Sequence, residues 1–256
     1  LLFDYAKEIG IPLMSTPFSE SDVDVLCKLG VEAFKIASFD IVNIPFLRYV
    51  ASKGLPIILS TGMSGMAEIE EALDAIASED NPNVILLHCV SSYPADPKDA
   101  NLRAIATMMK AFKVPVGYSD HSISTLISIM SMTLGANMLE RHFTLDKKLE
   151  GTDHILSSTP QEMAQLVKDR DTIYSALGTG IKRKKSIEYM TVNQQRKSIF
   201  ATKTIRAGEK ITLDNITIKG PGHGILPRYI QLVLDKKASR DVDADNPLTW
   251  DDLLAV

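Results

Sequence analysis

The chain has 256 residues, 45% of them hydrophobic and 23% charged, with 14 Gly and 12 Pro, which excludes a disordered, collagenous or fibrous protein. The formal net charge is -4, and the only basic run is Lys182–Lys185, so nucleic acid is not an expected partner. No run of about 18 apolar residues occurs, so no membrane-spanning helix is expected, and the two well-separated cysteines, Cys27 and Cys89, favour a reduced, cytoplasmic setting over a disulfide framework.

The first residues read as a helix, and no signal peptide is seen among them; the numbered chain opens without Met, so the natural N-terminus is expected to lie upstream. Short apolar segments then recur at Ile11–Ser15, Ala33–Ala37, Pro56–Ser60, Val84–Cys89, Val114–Tyr118 and Ala136–Arg141; each is bounded by polar or turn residues, as strands are. Between them lie amphipathic stretches at Ser21–Leu29, Ala67–Ala77, Leu102–Phe112 and Ser124–Leu134. The alternation gives strand–helix units at a spacing of roughly 22–30 residues. Pro160–Leu177 reads as the last helix of this region, which spans residues 1–180. Polar residues 181–197 read as a linker. A second domain at 198–256 has β-like pieces at Ser198–Lys203, Lys210–Thr212 and Ile216–Ile218, a tight Gly220–Gly224 loop, a helix at Pro227–Leu234 and a tail, Asp251–Val256.

Six units fit a doubly wound sheet, whereas a closed (β/α)8 barrel needs eight. The polar residues favour the barrel. Nearly every strand ends in reactive or anion-binding types: Ser15-Thr16, Lys35 and Ser38, Ser60-Thr61-Gly62, His88 and Ser91, Ser119-Asp120-His121, Glu140 and His142. Only a barrel brings all strand C-termini to one mouth. On this reading two further units precede the first residue.

His121 and His142 end adjacent strands, which run about 4.8 Å apart, so the two imidazoles could share a divalent metal; alternatively each caps a strand end. Glu140 and His142 share a strand face with Met138, while Leu139 and Arg141 point the other way. An inward carboxylate at Glu140 would pair with a lysine such as Lys35, orient a metal-bound imidazole, or handle a proton. Lys35, a cation in an apolar strand, could hold a phosphate or carboxylate or act as a Schiff-base nucleophile; the nearby serines favour anion binding. Asp120 or Ser122 could cap the following helix, and Ser64 could cap the helix at Ala67, while Ser60, Ser119 and nearby backbone amides could seat an anion. His88 and Cys89 read as core, Tyr93-Pro94 as a strand-to-loop break, and His154 as a loop residue that could reach the mouth.

The segments STPF (15–18), FKIAS (34–38), LSTGM (59–63), GYSDH (117–121), LERHFTLD (139–146) and G-x-DH (151–154), with ATKTIRAGEKIT and GPGHGI further on, resemble the sialic acid synthase family and its C-terminal antifreeze-like SAF domain. The resemblance implies a TIM (β/α)8 barrel plus SAF domain. It also implies condensation of phosphoenolpyruvate with an N-acyl amino sugar similar to N-acetylmannosamine: C3 of the enol attacks the aldehyde, water adds at C2, and phosphate leaves. It implies Mn²⁺ or Mg²⁺ on His121 and His142. Lys35, Ser38, Ser60 and Ser119 then meet the phosphate and carboxylate, Glu140 is an acid near the sugar, and Tyr93 contacts the sugar. It further implies a domain-swapped homodimer, with each SAF domain over the partner's mouth, and a role in surface polysaccharide biosynthesis. This chain departs from the family pattern at three places: Asp40 stands where Glu is common, Ser91 where Asn is, and Gly220, preceded by Lys219, where an Arg holds the N-acyl group. Lys219 or His223 could take over that Arg's role. Two other readings stand beside this one, a Schiff-base aldolase working through Lys35 and a carbohydrate-binding relative without turnover.

Overall fold

The computed structural model describes residues 1–254. The chain divides into two compact units, Leu1–Thr179 and Gly180–Val256.

In the first unit, five strands pair in parallel: β1 (Phe34–Ile36), β2 (Ile57–Ser60), β3 (Val84–Cys89), β4 (Val116–Asp120) and β5 (Leu139–Arg141). Their spatial order is β1-β2-β3-β4-β5, the order of the chain. A doubly wound sheet reverses direction at a switch point. This sheet never reverses, so it is an open arc of the barrel type.

Helices α1 (Leu2–Ile9) and α2 (Glu20–Leu29) precede β1, and α3 (Ile44–Ala51), α4 (Met66–Ala77), α5 (Arg103–Phe112) and α6 (Leu126–Thr133) connect successive strands. Helix α7 (Pro160–Leu177) follows β5. Local chemistry sets their starts. Ser19 Oγ accepts the Asp22 N–H at the start of α2. Thr159 and Glu162 form a reciprocal capping box, with Pro160 in the first turn, at the start of α7.

The pleat sorts the strand residues. Phe34 and Ile36, Ile57 and Leu59, Val84 and Leu86, and Val116 and Tyr118 all join one buried cluster with residues of α2–α5 such as Leu47, Ile76 and Ile105. Each such side chain, taken from water, contributes about 1.5–3 kcal/mol. The alternate positions, Lys35, Ser60, Cys89, Ser119 and Glu140, point to the opposite face.

Several expectations are corrected. Ile11–Ser15 is not a strand: Pro12 has no N–H to offer a ladder, and Ile11 is 60% exposed, so burial does not hold the segment to a sheet. Ile44–Ala51, unassigned from the sequence, is α3; Pro45 starts it and Phe46, Leu47, Val50 and Ala51 form its buried face. Ser64 does not cap α4, because Gly65 occupies the cap and its N–H donates to Glu68. Neither Asp120 nor Ser122 caps α6, whose first flanking residue is Thr125.

In the second unit, the expected linker contains α8 (Tyr189–Gln195). Strands β6 (Ser198–Ala201) and β7 (Ile216–Lys219) pair antiparallel. Lys210–Thr212 contributes only an isolated bridge, Lys210 to Lys237. Ile199, Ile205, Ile211, Ile225, Val233 and Leu248 form a separate small core. The expected helix at 227–234 is a 3₁₀ turn, Pro227–Tyr229, followed by α9 (Ile230–Val233). Residues 255 and 256 of the expected tail lie outside the described residues.

Candidate active site

Four strands build one polar cluster. Lys35 points from the middle of β1, and its ammonium donates to Ser60 Oγ of β2 at 2.8 Å and to the Ile36 carbonyl at 3.2 Å. It also lies 3.6 Å from Glu140 Oε2. Glu140 is the register partner of Ser119, whose hydroxyl donates to Glu140 Oε1 at 2.8 Å. The cluster thus runs from β1 and β2 to β4 and β5, and each inward polar group has a charge or hydrogen-bond partner, as burial requires.

A second cluster joins the ends of β1, β2 and β3. The Gly62 N–H donates to Ser38 Oγ at 3.0 Å, and Ser38 Oγ is 3.2 Å from Cys89 Sγ. A Cβ at Gly62 would collide with Ser91 Oγ, Cys89 Sγ and Ser38 Oγ, so the loop after β2 passes through a cradle of three polar side-chain atoms that would have to shift for a larger residue.

His121 is buried just beyond β4. Its Nδ1 lies 2.8 Å from the Val90 carbonyl, so Nδ1–H donates there and Nε2 of the neutral ring keeps its lone pair. Burial pushes this imidazole below its ordinary pKa. The His142 ring stands 5.4 Å from that of His121, at 81°. Its Nδ1 is 3.4 Å from Asp153 Oδ2. Tyr93 packs against both rings, at 4.2 and 5.6 Å between centroids, and burial raises its phenol pKa.

These two imidazoles could hold a divalent cation as a pair of nitrogen ligands. Among the described residues no group of three or more His, Cys, Asp and Glu side chains could hold a metal ion, so the protein would supply two ligands and leave positions for water or substrate.

Other candidates fall elsewhere. Asp40 Oδ1 accepts from Asn43 at 3.4 Å, and its buried Oδ2 has no hydrogen-bond partner, so Asp40 makes no hydrogen bond or ion pair with the Lys35–Glu140 cluster. His88 points to the helix side, where Nε2 meets the Ala100 carbonyl at 2.9 Å and the ring packs on Tyr118. His154 Nδ1 binds Thr144 Oγ1 at 2.7 Å. In the second unit, Lys219 pairs with Asp245, with its ammonium over the Phe200 ring. A cavity of about 550 Å³ lined by Met63, His88, Arg103 and Met108 contains neither the histidine pair nor Lys35 and Glu140.

The sequence reading missed Asp153, the partner of His142; its place in G-x-DH beside His154 was the available signal. It also missed the role of Arg141. That side chain, fully buried behind the sheet, pairs with Asp120.

Comparison with known proteins identifies relatives of the whole chain. The NeuB family model matches residues 1–182 and the SAF domain model residues 196–254. The chain is 44% identical to an uncharacterised protein of Methanocaldococcus jannaschii over 99% of its length and 75% of that protein. It is 41% identical to the N,N'-diacetyllegionaminic acid synthase of Campylobacter jejuni over 94% of its length and 73% of that protein. The crystal structure of the spore coat polysaccharide biosynthesis protein SpsE of Bacillus subtilis is similar over all of this chain and 76% of that one, with 34% identity and a TM-score of 0.66. With the family model covering the whole of the first unit and relatives of this identity spanning nearly the whole chain, the protein belongs to the NeuB family.

Proposed function

We propose that this protein condenses phosphoenolpyruvate with an N-acyl amino sugar in its aldehyde form to make a nonulosonic acid for surface polysaccharide, releasing phosphate. The observation that carries the reading is the run Ser60–Lys35–Glu140–Ser119 beside the His121–His142 pair. It sets a cation suited to binding anions, a carboxylate and two imidazoles on one face.

In the reaction, a bond forms between C3 of the enol and the aldehyde carbon. Water adds its oxygen at C2, the bond from C2 to the phosphate oxygen breaks, and the product is a 2-keto acid. Water loses both protons: the departing phosphate takes one as C2 becomes the carbonyl, and the aldehyde oxygen gains the other. Glu140, fixed by Ser119, is the carboxylate we assign to move it. Lys35, Ser60 and Ser38 hold the donor's phosphate and carboxylate. Tyr93 faces the sugar, Asp40 is the second acid of the site, and Ser91 lines the cradle. His121 and His142 would hold Mn²⁺ or Mg²⁺, which when bound polarises a carbonyl and lowers the pKa of water. Lys219 serves the acceptor from the SAF domain of a partner subunit in a domain-swapped homodimer.

The test is phosphate release from phosphoenolpyruvate by the whole chain against a panel of N-acyl hexosamines. Release that needs both the sugar and a divalent ion, and that stops with EDTA, supports the reading. Release without sugar, or none with any sugar, rejects it.

The engagement of Lys35 bears on the aldolase reading. Its ammonium faces the Ile36 carbonyl, Ser60 and Glu140, which suits an ion-pairing cation better than a free amine nucleophile. Borohydride trapping of a pyruvate adduct on Lys35 would reverse that preference.

A further inference from the structure

Behind the proposed site, on the helix side of the sheet, lies a second pair of register partners. Ser119 faces Glu140 on the site side; one step on, Asp120 faces Arg141 on the other. Both side chains are fully buried and 2.5 Å apart.

Their connections reach further than the two strands. Arg141 Nη2 donates to the carbonyls of Ser122 at 2.9 Å and Leu156 at 3.0 Å, and Nε donates to Ser158 Oγ at 2.8 Å. Asp120 accepts the Ser128 hydroxyl at 2.5 Å and the Ser122 N–H at 2.8 Å. The guanidinium therefore ties the segment just after His121 to the segment that follows Asp153. The latter is fixed again where Ser158 N–H donates to the His142 carbonyl at 2.8 Å. A buried ion pair is weak evidence of added stability, because desolvation offsets most of the attraction. Its value here is geometric: a planar fork with five donors fixes several chain segments at once.

We infer that Asp120 and Arg141 are positioning residues: they set the separation and orientation of the His121 and His142 rings, and hold Asp153 beside His142, without touching substrate. The consequence for metal affinity rests on the proposed function; the positioning itself does not.

The experiment uses the full chain and Arg141→Lys, which keeps the charge and removes the fork. The chain has 5 histidines, so the ring signals of selectively labelled protein can be assigned by NMR without metal. The expected result is that the His121 and His142 ring signals move while those of His88 and His223 stay. In Mn²⁺ titrations the same variant should bind about 10- to 100-fold more weakly, the range for loss of groups that orient metal ligands. Its affinity for phosphoenolpyruvate should stay within about twofold, since Lys35, Ser38 and Ser60 lie on other strand ends. If Arg141→Lys does not fold by circular dichroism, Ser128→Ala, which removes two hydrogen bonds from the cluster, and Ser158→Ala, which removes one, carry the same measurements.

Unmoved His121 and His142 signals overturn the inference. So does a loss of phosphoenolpyruvate affinity equal to the loss for Mn²⁺, which would mark general destabilisation. If the parent protein takes up no Mn²⁺, the metal assignment fails, and the ring signals alone decide the positioning role.

Discussion

The Ser119 hydroxyl donates to Glu140 Oε1 at 2.8 Å across the β4–β5 pair, which leaves the other carboxylate oxygen 3.6 Å from the Lys35 ammonium. One carboxylate thus meets a neutral donor on one side and a cation on the other. Glu140→Gln keeps the shape and removes the proton acceptor. Phosphate release should fall about 10²–10⁴-fold in kcat, with the KM for phosphoenolpyruvate little changed. A kcat within a few-fold of the parent would dismiss Glu140 as the proton carrier.

Lys35 should act mainly on donor binding. A hydrogen bond to a charged group is worth about 1.5–3 kcal/mol, or roughly 10- to 150-fold in affinity. Lys35→Met should weaken phosphoenolpyruvate binding by that order in calorimetric titration, and Ser60→Ala by less. Sugar affinity should be nearly unaffected. An unchanged donor affinity would remove Lys35 from the anion site.

Two glycines three residues apart, Gly62 and Gly65, should respond differently. A Cβ at Gly62 meets Ser91, Cys89 and Ser38, whereas one at Gly65 meets nothing nearer than Glu68 Oε2 at 3.9 Å. Gly62→Ala should destabilise by about 1–3 kcal/mol through overpacking and should also weaken donor binding. Gly65→Ala should stay near the parent. Urea unfolding of the two variants compares them directly, and equal midpoints would contradict the cradle.

Burial holds the rings of both His88 and His121 below the ordinary imidazole pKa. Between that depressed value and the unfolded value, about 6.5, the unfolded chain binds more protons than the folded one. Stability contributed by the neutral rings is therefore full above pH about 6.5 and is lost as pH falls toward the folded values. Melting temperatures of the metal-free protein should drop between about pH 7 and 5, and the drop should be smaller for His88→Gln. A flat profile would show that neither ring is held neutral by the fold.

Lys219 pairs with Asp245 inside the second unit. If its further role is to hold the acceptor, Lys219→Ala should raise the KM of the sugar sharply and leave that of phosphoenolpyruvate alone. An unchanged sugar KM would confine Lys219 to its pairing with Asp245.

The sequence by itself determined the parts that depend on short-range patterns. Short apolar segments bounded by polar or turn residues marked five of the strands, because a buried strand is brief and ends where the chain turns back to solvent. The Thr159-Pro160 start of α7 was legible for the same reason, since its capping chemistry is complete within four residues. The period of two also placed Glu140 and His142 on one face and Arg141 on the other. What it left open depended on contacts across the chain. Ile11–Ser15 had the look of a strand, yet strand formation requires a paired neighbour as well as propensity. Whether Lys35 meets Glu140, which of Asp40 and Asp153 stands by another site residue, and what Arg141 grips were decided by the parallel register of β1 to β5, which brings together residues as distant as 35 and 140. Local sequence fixes which way a side chain points along its own strand; only the packed sheet fixes what lies within hydrogen-bonding distance of it.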